Sequence, residues 1–198
     1  MNDDNIHNIN KAIQSKYAKI SQTAIGKFNY PTGKEGAIYL GYDVQFLNSI
    51  PDALLESFCG VGNPFSLGAI NLGETVLDVG CGAGFDLFVA RSKVGPEGKV
   101  CGIDLTTEMV NKAKKNLLAV EMIDVEVLEG SSEAIPYNDE TFDVVTSNGV
   151  LNLSPIKQES FQEIYRVLKP NGRLQFADIV LKDSLPVEMV ESAESWSN

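Results

Sequence analysis

Residues 75–86 read Thr-Val-Leu-Asp-Val-Gly-Cys-Gly-Ala-Gly-Phe-Asp. Residues 76–79 are a short apolar run of the kind a buried parallel strand uses. Glycines follow at alternate positions, Gly80, Gly82 and Gly84, and the pattern then changes to helical spacing with Leu87, Ala90 and Val94 on one face. The chain therefore leaves a strand, turns without side chains in the way, and enters a helix. The loop amides and the helix N-terminus face the space where a ligand sits. This is the nucleotide-binding corner of a doubly wound α/β domain. The spacing is Gly-x-Gly-x-Gly, which departs from the dinucleotide pattern Gly-x-Gly-x-x-Gly. An acid, Asp78, stands inside the strand, where it would repel a pyrophosphate and suit a cation. A second acid, Asp104, closes the next strand at 99–104, roughly 20 residues on, where a ribose-binding carboxylate belongs.

Outward from this corner, strands and helices alternate. A turn at Gly95-Pro96-Glu97-Gly98 precedes the second strand. Thr106 or Thr107 caps a helix to about residue 120, with Met109, Ala113 and Leu117 buried. Strands follow at 125–129 and 142–147. Ser154 is expected to cap the next helix with Pro155 in its first position. Pro170-Asn171-Gly172 turns the chain into a fifth strand at 173–180. Such alternation means a parallel sheet covered on both faces, and right-handed crossovers give the order 3-2-1-4-5. Before the corner, residues 1–10 read as a polar, mobile tail. Ile13, Tyr17 and Ile20 mark an amphipathic helix, 28–44 a Gly- and Tyr-rich loop, and 51–58 a short helix. After residue 180 only a short helix, at 186–194, is expected.

The composition is that of an ordinary globular domain. The chain has 198 residues, 43% of them hydrophobic and 22% charged, with a net charge of −11. Such acidity argues against nucleic acid or an anionic membrane as partner. No 18-residue apolar run is present, so no membrane span is expected. Three cysteines without a Cys-x-x-Cys pair indicate a reducing, cytoplasmic setting. The single histidine, His7, lies in the polar N-terminal stretch, so neither a histidine base nor a His-rich metal site is expected, and no metal ligands are assigned.

Val-Leu-Asp-Val-Gly-Cys-Gly-Ala-Gly (76–84) resembles the first motif of class I S-adenosylmethionine (SAM)-dependent methyltransferases, of the type 11 or UbiE-like kind. Gly-Ile-Asp-Leu-Thr (102–106), Phe-Asp-Val-Val-Thr-Ser-Asn (142–148) and Val-Leu-Lys-Pro-Asn-Gly-Arg-Leu (167–174) are similar to its later motifs, in the same order. The resemblance implies a Rossmann-like sheet, SAM as cofactor and S-adenosylhomocysteine as product. It assigns Asp78, Gly80, Cys81, Gly82 and Gly84 to the methionyl side, Asp104 and Leu105 to the ribose, and Met109, Ser132 and Glu133 to the adenine. Asn148, beyond the fourth strand, stands near the reacting centre, and no residue is assigned as a firm catalyst. Methyl transfer from a sulfonium needs alignment and water exclusion more than acid–base chemistry. The implied organisation is a helical and loop cap at 1–70 over the cofactor, and the cofactor domain at 71–198. Family strands 6 and 7 are missing from the sequence, so the chain is either a piece of a longer protein or a sheet that ends early. A homodimer or a covering helix would protect the fifth strand's edge.

Gly-Val-Gly-Asn-Pro (60–64) and Ser-Asn-Gly-Val-Leu-Asn-Leu-Ser-Pro-x-Lys (147–157) resemble arsenite methyltransferases, which hold trivalent arsenic with thiolates, soft ligands suited to it. Two of the implied cysteine positions are Val61 and Gly149 here, although Cys59 lies nearby, and a third falls beyond the chain's end. The expected function is methyl transfer to a small-molecule acceptor. The alternatives are an arsenite methyltransferase-like enzyme and a SAM-binding module without catalysis.

Overall fold

The computed structural model describes residues 3–182 and Trp196. Five parallel strands form one sheet: β1 (Thr75–Val79), β2 (Lys99–Asp104), β3 (Glu126–Glu129), β4 (Phe142–Asn148) and β5 (Leu168–Ala177). Their order is β3-β2-β1-β4-β5, as the alternation requires. The helices that follow β1, β2 and the β4 segment are α5 (Phe85–Val94), α6 (Thr107–Ala119) and α7 (Lys157–Val167). The chain works outward from β1 to β3 and then returns to place β4 beside β1, pairing Val76 with Val144 and Val79 with Ser147. That reversal makes the carboxyl ends of β1 and β4 the switch point, where ligands of such sheets bind.

Alternation along the strands builds two cores. Val76 and Val144 face α5 and α6, packing with Leu87, Ala90, Val110 and Leu117. Leu77, Val79 and Val145 face the other side with Ile164 and Val167 of α7. Asp78 shares the face of Val76 by this period of two, yet it is a carboxylate only 2% exposed.

Before the sheet lie α1 (Asp3–Ile20), α2 (Gly33–Tyr39), α3 (Val44–Asn48) and α4 (Asp52–Leu55). The polar tail expected at 1–10 is instead the first half of α1, because Ile6 and Ile9 extend the stripe of Ile13, Tyr17 and Ile20 backwards, and Ile9 is fully buried. The Gly- and Tyr-rich stretch contains α2, whose Gly36 lies so close to Pro31 that a Cβ would come within 2.5 Å of its carbonyl oxygen. Leu47, Leu54, Leu55 and Phe58 pack with Phe85 and Val89 of α5. The apolar faces of this segment are thus covered by α5 and, through Ile20 and Met109, by α6.

Two other expectations change. Ser154 does not cap α7, which starts at Lys157 after Ile156. The Ser154 hydroxyl donates to Glu133 Oε1 at 2.5 Å and accepts from Ser160 and, at 3.2 Å, from the N–H of Ile156, just before the helix. The Pro170-Asn171-Gly172 turn lies inside β5 as an irregularity, with Asn171 at φ 66°, and the register with β4 jumps from Phe142–Leu168 to Val144–Arg173. The strand ends at Ala177, because the Asp178 carboxylate turns back to accept from the Asn152 N–H. The helix expected at 186–194 lies outside the described residues. Among the described residues no helix is long and apolar enough to cross a membrane.

Candidate active site at the sheet's switch point

A cleft opens beyond the carboxyl ends of β1, β2 and β4, walled by residues of the glycine corner, the start of α6 and the N-terminal segment. Its floor is the glycine corner. Gly80 N–H and Cys81 N–H both donate to the Ile103 carbonyl, at 2.8 and 2.9 Å, which folds the loop back over β2. Gly80 has φ 74°, and a Cβ there would come within 2.3 Å of Val150. Asp104 then fixes the loop to the next helix. Its Oδ2 accepts from Gly82 N–H and its Oδ1 from Thr106 N–H, both at 2.9 Å. Asp104 thereby takes the capping role expected of the Thr106 side chain, which makes no such bond.

Of the residues expected at the site, Asp78, Gly80, Cys81, Gly82, Asp104, Leu105, Met109, Ser132, Glu133 and Asn148 all line this cleft. Gly84 does not. It starts α5 at φ 91°, and a Cβ there would stand 3.3 Å from Ala113, so its role is to let α5 and α6 approach. Met109 is buried with Ile20 and Ala83 and serves the core as well. The Ser132 hydroxyl pairs with Ser160 at 2.9 Å, and Glu133 accepts from both Ser131 and Ser154. The N-terminal segment adds Asn10, Ile13 and Tyr17 to the cleft wall, and Gln14 donates to the Leu105 carbonyl at 3.0 Å.

Asn148 is already committed. Its Oδ1 accepts from Val61 N–H at 2.8 Å and Gly62 N–H at 3.1 Å, and its Nδ2 donates to Gly62 O and to Asp86 Oδ2. Asp86 and its second donor, Tyr42, were not singled out from the sequence. An acid in a helix's first turn reads as a helix-dipole partner, and nothing local announces that it is 7% exposed in the cleft. Tyr42 lies in an irregular stretch some 44 residues away. The two positions at which the arsenite enzymes' resemblance implies cysteine converge on this same spot. The Val61 side chain stands 3.3 Å from where a Cβ on Gly149 would be. The nearby Cys59 also lines the cleft, its thiol pushed up to about 12 by burial.

Beside Glu133, three aspartates therefore share one cleft, Asp78, Asp86 and Asp104, and among the described residues none of the three is paired with a lysine or arginine. Burial raises all three. Asp78 lies well above the ordinary range through burial and then the charge of Asp86, even though Thr146 donates to it at 2.7 Å. Asp86 rises through burial against the bonds from Tyr42 and Asn148. Asp104 is pushed up to about 6 by burial against its two backbone bonds. A carboxylate raised on folding stabilises the fold fully only below its unfolded pKa and loses that contribution as pH rises through its folded pKa. The ligand-free chain is therefore expected to melt at a higher temperature near pH 5 than at pH 7.5. A bound cation should remove that difference, and its affinity should rise with pH through about 6. Calorimetric melts and titrations across pH 5–8 read both; a cation affinity flat over that range would contradict the charge account.

Residues 70–198 match the model of a family described as "Methyltransferase domain". The arsenite methyltransferase of Halobacterium salinarum is 42% identical over 164 residues, which is 83% of this chain and 42% of that protein. The demethylmenaquinone methyltransferase of Lactococcus lactis is 39% identical over 102 residues, covering 52% of this chain and 40% of that one. The crystal structure of an arsenic(III) S-adenosylmethionine methyltransferase from Chlamydomonas reinhardtii superimposes with a TM-score of 0.64 at 35% identity, over 72% of this chain and 50% of that one. The chain thus spans less than half the length of the curated relatives named here. The family match takes in the whole parallel sheet and the glycine corner, and on that match the chain belongs to the methyltransferase domain family.

Proposed function

We propose that this chain carries the cofactor site of a SAM-dependent methyltransferase that passes a methyl group to a small molecule by in-line displacement. The supporting observation is the set of three aspartates, Asp78, Asp86 and Asp104, facing a cleft at the switch point, with no lysine or arginine among the described residues paired to them. SAM supplies a sulfonium and an ammonium to that field. Asp78, Gly80, Cys81 and Gly82 border the methionyl end, and Asp104 accepts from the ribose hydroxyls on the lone pairs that its backbone bonds leave free. Leu105, Met109, Ser132 and Glu133 border the adenine. Residues 1–70 form the cap, with Tyr17 as part of the wall. The chemistry is alignment of nucleophile, methyl and sulfur with water excluded. Asn148 stands beside the reacting centre and holds its neighbouring loop. S-Adenosylhomocysteine is the product. A homodimer across the β5 edge, beside the exposed Phe161, Phe176 and Ile179, belongs to the same reading.

The acceptor is a nucleophile that needs no thiolate clamp. Val61 against Gly149 puts an isopropyl group and no side chain where the arsenite resemblance implies two sulfurs, and one remaining thiol, Cys59, is held protonated at neutral pH. Arsenite methylation remains the second reading, supported by the 42% identity. The test is product formation from SAM with a panel of thiol, phenol, quinol and amine acceptors, beside an As(III) titration. Turnover of an organic acceptor with no tight As(III) binding supports the first reading. As(III) binding lost in Cys59→Ala supports the second, and cofactor binding without any turnover supports a non-catalytic module.

A further inference from the structure

Asp86 adds charge to the cleft but is given no ligand contact above, yet it is buried and held by two donors from distant segments. Tyr42 Oη donates to its Oδ1 at 2.6 Å and Asn148 Nδ2 to its Oδ2 at 3.0 Å. The same Asn148 amide anchors the loop at 60–63, taking the Val61 and Gly62 N–H groups on its oxygen and giving a hydrogen to the Gly62 carbonyl. Tyr42 Oη reaches both Asn148 Nδ2, at 3.3 Å, and the Gly62 carbonyl, at 3.5 Å. Gly60 leaves no slack, because a Cβ there would lie 2.4 Å from Asn148 Nδ2. One carboxylate thus sets which way an amide faces, and that amide holds the wall of the cleft next to Gly149.

We propose that Asp86 is a positioning residue that ties the order of the 60–63 loop to the charge of the ligand in the cleft. Ionised Asp86 accepts from both donors, so the Asn148 NH2 faces it and the Asn148 oxygen faces the loop. Protonated Asp86 must give a hydrogen from one oxygen. When Asn148 turns over to accept it, the Val61 and Gly62 N–H groups lose their acceptor. Burial is what opposes the charge of Asp86; Asp78 of β1 and the Cys59 thiol are near enough to feel that charge, and the rings of Phe58 and Phe85 pack edge-on against Tyr42, its first donor. The hydroxyl of Tyr42 and the amide of Asn148 are what favour its charge. A cation entering the cleft adds to that side, keeps Asp86 ionised and closes the loop on the acceptor side. The identity of that cation, the methionyl end of SAM, rests on the function proposed above; the link between Asp86 and the loop does not.

Hydrogen exchange of the Val61 and Gly62 amides, corrected for intrinsic rates, tests this on the full chain between pH 5.5 and 7.5. Wild-type protection without ligand is expected to rise roughly tenfold with pH, and saturating SAM should flatten that rise. 5′-Methylthioadenosine, which lacks the methionyl end, should leave it unchanged. Asp86→Asn should show weak protection that neither pH nor SAM alters. Tyr42→Phe keeps the charge and removes a donor that favours it, so its rise should shift to higher pH; this variant carries the test where Asp86→Asn fails to fold. Wild-type protection flat with pH, or wild-type protection retained in Asp86→Asn, overturns the proposal. A pH-dependent loop in a protein that binds no SAM supports the Asp86 link and overturns the cofactor's part in it.

Discussion

Asp104→Ala is expected to weaken S-adenosylhomocysteine binding by more than about 100-fold while shifting the melting temperature of the free protein by only a few degrees. The carboxylate does two jobs. It joins the glycine corner to α6 through Gly82 N–H and Thr106 N–H, and it offers its remaining lone pairs to the cleft. Hydrogen bonds to a charged group contribute about 1.5–3 kcal/mol each, and losing a pair with the ribose hydroxyls gives a hundredfold or more in affinity. Stability responds less because two effects oppose. The alanine leaves two N–H groups short of an acceptor, but it also removes a carboxylate whose charge burial disfavours, as its pKa of about 6 records. Calorimetric titration beside a thermal melt separates the two. Unchanged affinity would remove Asp104 from the ribose site.

Gly80→Ala is expected to lower stability by about 2–5 kcal/mol and to abolish binding with it. At φ 74° an alanine costs roughly 1–2 kcal/mol. Its Cβ would also meet Val150 at 2.3 Å, and relieving that contact costs about 1–3 kcal/mol more. Val150 lies just before the 3₁₀ turn Leu151–Leu153, so the displacement would carry into the acceptor wall. Gly82→Ala is the control. Its φ is 51°, yet a Cβ there meets nothing within 4 Å and points into the open cleft. That variant should lose roughly 1–2 kcal/mol, stay folded, and still bind poorly because the methyl occupies ligand space. Equal melting temperatures for Gly80→Ala and wild type would contradict the packing described here.

The parts of the fold that read directly from the residues are those whose causes are local. A strand running into alternate glycines and then a helical stripe specifies the corner by itself, and three strand–helix alternations with right-handed crossovers leave one sheet order. Asp78 stood out as an acid inside the strand that suits a cation, and Asp104 by its place at the end of the next strand, roughly 20 residues beyond the glycines. What stayed hidden depends on distant partners. Asp86 looks like a helix-dipole residue until Tyr42 and Asn148 converge on it from positions 44 and 62 residues away. Ser154 has the chemistry of a cap, but α7 starts three residues later at Lys157, so its hydroxyl takes the Ile156 N–H just outside the helix. Gly84 shares the spacing of Gly80 and Gly82, and only the approach of α6 shows that its missing side chain serves packing. The first half of α1 was obscured because polar Asn and His residues separate Ile6 from Ile9, and the stripe emerges only over four turns.

The central claim is that this chain holds a site for the sulfonium cofactor's nucleoside and methionyl groups. Its most direct test is calorimetric titration of the wild-type chain at pH 7.5 with S-adenosylhomocysteine, using NAD as control. The account predicts micromolar binding of the first and none of the second. A well-folded protein that binds neither, or that binds NAD, would contradict it.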